Sequence, residues 1–254
     1  MNKIEQAIRK MSGNHDAFLD HYNRAYSCVE EIERMDSRYN LNYDELRRRK
    51  IIYPAMKDKA LLNSFRDLRT QLTEDREKNV VMVTSISENA GSSFFARNIA
   101  VATAFDVSKT SILFDCSITR NDVADLFELS DKKGVINYIF DKEAKAEDII
   151  HDSGIKRLRI IPFGESEKSI GEHFSHPRFQ SLMAQLKHKY SDRYIYIDAP
   201  PILDSADSHI LLNLCDQVVL VVPYGRANID DIQAATEIIG KDKFSGVVFN
   251  DYIR

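Results

Sequence analysis

The pattern of apolar and polar positions divides the chain into two textures. From residue 80 onward, short apolar runs alternate with amphipathic stretches. The runs at 80–85, 111–115, 158–162, 194–198, 217–223 and 245–250 have the length and β-branched content of strands. Between them, 92–106, 121–128, 134–141, 177–190, 204–213 and 228–239 show helical spacing. Near-continuous apolar strands separated by helices predict a mostly parallel sheet covered on both faces, because each parallel pair needs a crossover connection. Right-handed crossovers then set a ligand crevice at the carboxyl ends of the strands.

The segment before residue 60 differs. Residues 1–50 are charged and poor in glycine and proline, with Ile4, Ala7, Ile8 and Met11 at helical spacing, followed by Phe18, Tyr22, Ala25, Tyr26, Val29 and Ile32. These predict two helices joined near Ser12-Gly13-Asn14. Their apolar stripes either pack against the main domain or form a docking arm for another protein. Tyr53-Pro54 interrupts the pattern, and 58–72 resumes a helix. The expected organisation is a helical N-terminal extension over 1–60 and an α/β, doubly wound domain over 61–254.

Composition narrows the classes. With 35 basic and 39 acidic side chains the net charge is −4, which gives no general attraction to nucleic acid. Cys28, Cys116 and Cys215 are far apart and lack metal or redox spacing, as expected of a reduced, cytoplasmic protein. The polar start, Met1-Asn2-Lys3-Ile4-Glu5-Gln6, is unlike a signal peptide, and no apolar stretch is long enough to cross a bilayer. Membrane association is therefore expected only peripherally, at the inner membrane through a partner.

The first strand runs into Ile86-Ser87-Glu88-Asn89-Ala90-Gly91-Ser92-Ser93 and then a helix. A strand, a short polar loop and a helix in that order match a phosphate-binding loop, G-x-x-x-x-G-K-[ST]. In that motif backbone N–H groups cradle the phosphates, the lysine reaches their oxygens and the hydroxyl holds Mg²⁺. Gly91 and Ser93 fit; Ser92 occupies the lysine position. Two later strands end in aspartate, Asp115 and Asp198, at the same expected edge. Nucleotide-bound Mg²⁺ takes only one or two carboxylates, so Ser93, Asp115 and Asp198 form a candidate metal set. The alternative is that both aspartates cap the turns that follow them. His173 and His176 lack the neighbours that would complete a metal site.

From about Leu61 onward the sequence resembles the cytoplasmic ATPase domain of bacterial tyrosine kinases, relatives of the cell-division-site-positioning and plasmid-partition ATPases. Tyr196-Ile197-Asp198-Ala199-Pro200-Pro201 is similar to the family's Walker B segment, and residues 112–120, around Asp115, to its second acidic motif. Residues 85–100, including Arg97-Asn98-Ile99-Ala100, are similar to its P-loop and helix, and 216–222 and 246–250 to its last two core strands. The N-terminal part, including the Arg47–Lys50 run, is similar to the leader of the free-standing branch tied to exosortase and polysaccharide loci. The resemblance implies a P-loop NTPase-like fold and use of ATP or ADP with Mg²⁺. It also implies Asp115 as a catalytic residue, Gly91, Ser92, Ser93 and Asn250 as nucleotide-binding positions, and residues 168–174 near the base. The implied partner is a polysaccharide chain-length regulator or another inner-membrane export protein, together with self-association into a homo-oligomer.

The departures from the family pattern carry equal weight. Glu88 replaces a proline, Asn89 a glycine, Ser92 the lysine and Phe94 a threonine. Ser117 replaces the second aspartate of the acidic motif and Thr119 its first arginine. The oligomer-forming Glu-x-x-Arg-x-x-Arg becomes Asn63-x-x-Arg66-x-x-Arg69, whose arginines either meet a neighbouring subunit or form a solvated face. Of the family's tyrosine-rich tail only Tyr252 remains. The expectation is a degenerate kinase, a pseudokinase with nucleotide binding weak or lost, acting as a regulatory or scaffolding part of exopolysaccharide synthesis and export. The alternative is an active autokinase or ATPase in which Lys109 or Arg97 replaces the lysine. A nucleotide-gated partition ATPase is a third class, disfavoured by the missing lysine.

Overall fold

The computed structural model describes residues 40–116, 122–129, 131–164, 173–189 and 192–250. The two helices expected before residue 40, Ser117 and Thr119 of the acidic motif, most of the stretch 168–174 and Tyr252 lie outside the described residues.

Two helices, α1 (Tyr43–Arg48) and α2 (Lys59–Leu72), precede the sheet. The alternating part runs β1 (Val80–Ser85), α3 (Ser92–Ala104), β2 (Thr110–Asp115), α4 (Asp122–Leu126), α5 (Val135–Phe140), β3 (His151–Asp152), β4 (Leu158–Ile161), α6 (Pro177–Lys189), β5 (Arg193–Asp198), α7 (Ala206–Leu214), β6 (Gln217–Pro223), α8 (Ile229–Ile239) and β7 (Phe244–Asn250). Short 3₁₀ turns cover Ala146–Ile149 and His173–Ser175.

The sheet order is β3-β4-β2-β5-β1-β6-β7. Every pairing is parallel except β3 with β4. Strands buried on both faces read as unbroken apolar runs, which is why Val80-Val81-Met82-Val83 is fully buried. Their side chains divide by parity: Val80 and Met82 enter one core layer, beside Phe179 and Leu182 of α6, while Val81 and Val83 enter the other, beside Ile99 and Ala100 of α3.

The described part of the 1–60 segment belongs to that second layer. Asn42 and Glu45 form a reciprocal cap at the start of α1, with Asn42 accepting from the Glu45 N–H and Glu45 from the Asn42 N–H. Leu46, Ile51 and Ile52 are buried in the cluster that holds Phe65, Phe95 and Ile99.

The crossover from β1 leads one way, past β5 to β2, and that from the adjacent β5 leads the other way, past β1 to β6, so the connections diverge between these two strands. A crevice opens beyond the strand carboxyl ends at such a point. That is where the loop 86–91, Asp115 and Asp198 meet.

Candidate functional site

The loop between β1 and α3 is shaped by its own backbone chemistry. Asn89 and Gly91 both have positive φ, 58° and 92°. A left-handed residue costs most side chains about 1–2 kcal/mol, but asparagine tolerates it and glycine adopts it freely. Ser85 Oγ donates to Ser87 O at 2.8 Å, and Phe95 N–H donates to Gly91 O at 3.0 Å, which closes the first turn of α3. Asn250, the last residue of β7, donates from Nδ2 to Ala90 O at 3.0 Å. A Cβ on Gly91 would stand 2.2 Å from that same nitrogen.

A second brace comes from the segment after β5. Ala199 N–H donates to Val83 O at 2.9 Å and Ile202 N–H to Ser85 O at 2.8 Å. The Pro200 carbonyl accepts from Thr84 Oγ1 at 2.6 Å and from Ser208 Oγ at 2.7 Å. The Asp-x-Pro-Pro stretch is thus fastened to the strand that feeds the loop. Thr84 and Ser208 escape a motif reading because isolated hydroxyl residues carry no spacing signal.

Asp115 and Asp198 sit in register on the adjacent strands β2 and β5, and both are 1% exposed. Neighbouring strands lie about 4.8 Å apart, so two buried carboxylates share one corner of the crevice. Ser93, the third oxygen donor of the candidate Mg²⁺ set, stands at the start of α3. Cys116, fully buried behind them, has its thiol pushed well above its ordinary pKa by burial, with Asp115 and Asp198 adding to the rise. It is a neutral packing residue, not a nucleophile.

The expected nucleotide positions adjoin one another. Ser92 and Ser93 open α3 and are half-buried; Gly91 precedes them and Asn250 touches the loop. Glu88 is exposed.

The two cations considered as lysine substitutes separate clearly. Lys109 lies before β2, at the amino edge of the sheet, whereas the loop follows the carboxyl end of β1. A six-residue strand puts roughly 17 Å between those edges. Lys109 is also paired with Asp106 at 2.5 Å, which removes it as a phosphate ligand. Arg97 stands five residues along α3 from Ser92, with its guanidinium 5.2 Å from the Phe94 ring centroid.

The Asp106–Lys109 pair makes its own prediction. Burial raises the Asp106 pKa, but the bond from Lys109 and those from Ser108 outweigh it and bring the carboxyl from 3.8 to about 2. A depressed carboxylate stabilises the fold above its unfolded value, and that stability is lost as pH falls through the folded value. Asp106→Asn should cost about 1–2 kcal/mol at neutral pH, the smaller figure allowing for solvent screening. Urea unfolding should show the gap narrowing as pH falls from about 4 through about 2; a gap of constant size over that range would contradict the assignment.

The helix carrying Arg66 and Arg69 divides its two cations. Arg66 is exposed, while Arg69 Nη1 donates to Ala102 O on α3 at 3.4 Å. Arg69 is therefore directed into its own domain. Among the described residues no helix is long and apolar enough to cross a membrane, and no three His, Cys, Asp or Glu side chains cluster as a metal site.

No protein-family model matches the chain. It is 27% identical over 190 residues to the tyrosine-protein kinase CpsD of Streptococcus agalactiae serotype III (strain NEM316), covering 73% of this chain and 80% of that one. It is 29% identical over 203 residues to the tyrosine-protein kinase YwqD of Bacillus subtilis (strain 168), covering 77% and 84%. Among solved structures, the chimerical protein CapA2B2 superposes with a TM-score of 0.71 at 22% identity, over 89% of this chain and 99% of that one.

Proposed function

We propose, from the premise that this chain is a relative of the bacterial tyrosine kinases with the fold of their P-loop ATPase domain, that it is a catalytically impaired member. Its role is that of a regulatory or scaffolding subunit in exopolysaccharide synthesis and export. The observation that carries this reading is a braced strand–loop–helix with the neutral Ser92 where the phosphate-loop motif carries an ammonium.

Phosphoryl transfer asks the protein mainly for positioning and for stabilising charge on the moving group. Positioning is supported by Gly91, the α3 N-terminus and the braced strand β1. Charge stabilisation is what Ser92 cannot supply. Deleting one preorganised donor costs about 3–4 kcal/mol, or roughly 10²–10³ in rate, and a charged donor more. Mg²⁺, held by Ser93, Asp115 and Asp198, would supply positive charge when bound with a nucleotide. It would act from its own corner and leave position 92 neutral. Weak nucleotide binding with little turnover follows.

The partner in this reading is a polysaccharide chain-length regulator or another inner-membrane export protein, and the chain works at the cytoplasmic face through that contact. Self-association would use α2 with Arg66 alone, since Arg69 is directed inward.

Incubating the protein with ATP and Mg²⁺, followed by phosphotyrosine mass spectrometry, tests the reading. No modified tyrosine is expected. Stoichiometric tyrosine phosphorylation would establish the competing reading, an active autokinase in which Arg97 or another cation does the work of the lysine.

A further inference from the structure

One buried side chain of the phosphate-loop helix is hydrogen-bonded to the segment that precedes α2. Asn98 lies in the middle of α3 and is 0% exposed. Its Oδ1 accepts from the Ile52 N–H at 2.8 Å; its Nδ2 donates to Lys50 O at 3.1 Å and to Phe94 O at 2.9 Å. All three hydrogen-bonding positions of the carboxamide that this geometry can use go to backbone, on two segments more than forty residues apart.

Asparagine is a poor residue for a helix interior, and an apolar side chain would fill a buried position at no polar cost. What asparagine adds is a fixed link between the strap 50–52 and the first turn of α3. Phe94, whose carbonyl it binds, directly follows Ser93. The strap is anchored in its own right: Ile51 and Ile52 are 2% and 1% exposed, and Ile51 N–H donates to Leu46 O at 2.8 Å. Phe65 of α2, which follows the strap, stacks on Phe95 with centroids 5.6 Å apart and meets Phe94 edge-on at 6.3 Å. A displacement of 50–52 therefore reaches residues 94 and 95 by a hydrogen-bonded route and an aromatic one.

We propose that the strap 50–52 and the first two turns of α3 open and close as one unit, with Asn98 as the joint. Asn98 is a positioning residue: it touches no ligand and acts through Phe94. In this arrangement any force applied to the chain ahead of residue 50 changes the order of the loop helix. By linkage, an anion held at that helix tightens the strap. This reciprocal effect rests on the reading of the α3 N-terminus as an anion site.

Amide hydrogen exchange on the full chain, without ligand, decides the coupling. Asn98→Ala should speed exchange at Ile52, Phe95 and Ala96 together by about tenfold or more, as expected for loss of one or two buried hydrogen bonds. Amides of α6, on the other side of the sheet, should be unchanged. Ile51→Ala loosens the strap without touching Asn98 and should speed Phe95 and Ala96 as well, so the test survives poor folding of the first variant. Faster exchange at Ile52 with Phe95 and Ala96 unaltered in both variants would overturn the proposal.

Adding millimolar ADP with Mg²⁺ to the unmutated protein separates the joint from the anion site. Protection at Ile52 along with residues 92–96 supports the coupling, and protection at 92–96 alone contradicts it. Absence of protection anywhere overturns the anion site, while the joint stands or falls on the ligand-free exchange.

Discussion

Replacing Ser92 by lysine should raise the affinity for ATP with Mg²⁺ at least tenfold, since a charge-assisted hydrogen bond to phosphate is worth about 1.5–3 kcal/mol. If the remaining parts are in place, turnover should rise by roughly 10²–10³. The same substitution should slightly weaken the unliganded fold. A cation in the first turn of α3 opposes the helix dipole at a cost of about 0.3–1 kcal/mol. These effects have opposite signs, so the result discriminates. A variant less stable alone and more stable with nucleotide is predicted, and thermal unfolding with and without ATP and Mg²⁺ reads both. A Ser92→Lys protein that binds nucleotide no better than the parent would show that the missing ammonium is not what limits this site.

The second large effect is expected at Gly91. Alanine there would be held at φ 92°, a conformation that costs an L-residue about 1–2 kcal/mol. Its Cβ would also displace Asn250 Nδ2, which it would approach to 2.2 Å, and the bond from Asn250 to Ala90 O would be lost. Adding about 1 kcal/mol for that bond gives a total near 2–3 kcal/mol. For a chain of this size the melting temperature should fall by about 5–10 °C. The two contributions can be separated. In the background of Asn250→Ala the steric part vanishes and Gly91→Ala should cost only the backbone share, so the double-mutant cycle should show coupling of about 1 kcal/mol. Additive costs would mean that Asn250 does not brace the loop in solution.

What is legible in the sequence follows from which residues carry period and which do not. The strands β1, β2, β5 and β6 are readable because both of their faces are buried, and their mostly apolar runs leave few other readings. Their first residues are harder: Thr110 and Arg193 are polar but buried, and each extends its strand by one position. The antiparallel β3 is two polar residues long and carries no period at all. In the segment before residue 60, the Asn42–Glu45 cap is present in the residues, yet a six-residue helix is too short for its stripe to register.

The site divides in the same way. Gly91, Ser93, Asp115 and Asp198 stand out because a strand, a loop and two strand-end carboxylates follow a fixed order, and β2 and β5 do place the two aspartates side by side. Asn250 is marked by resemblance, whereas its bond to Ala90 O depends on β7 lying at the sheet edge beyond β6, which no local pattern encodes. Asn98 is visible only as one polar residue within an apolar helix. Its partners, Lys50 and Ile52, lie in a stretch that reads as a break between helices.

Lys109 shows the converse error, because proximity in sequence suggests a substitute cation. The topology sends it to the opposite edge of the sheet, where Asp106 holds it.

Isothermal calorimetry of the unmutated protein with ATP or ADP and Mg²⁺ bears most directly on the claim that this phosphate loop lacks the charge for efficient nucleotide chemistry. Binding no tighter than the millimolar range is predicted. Micromolar affinity that disappears in Asp198→Ala would contradict it.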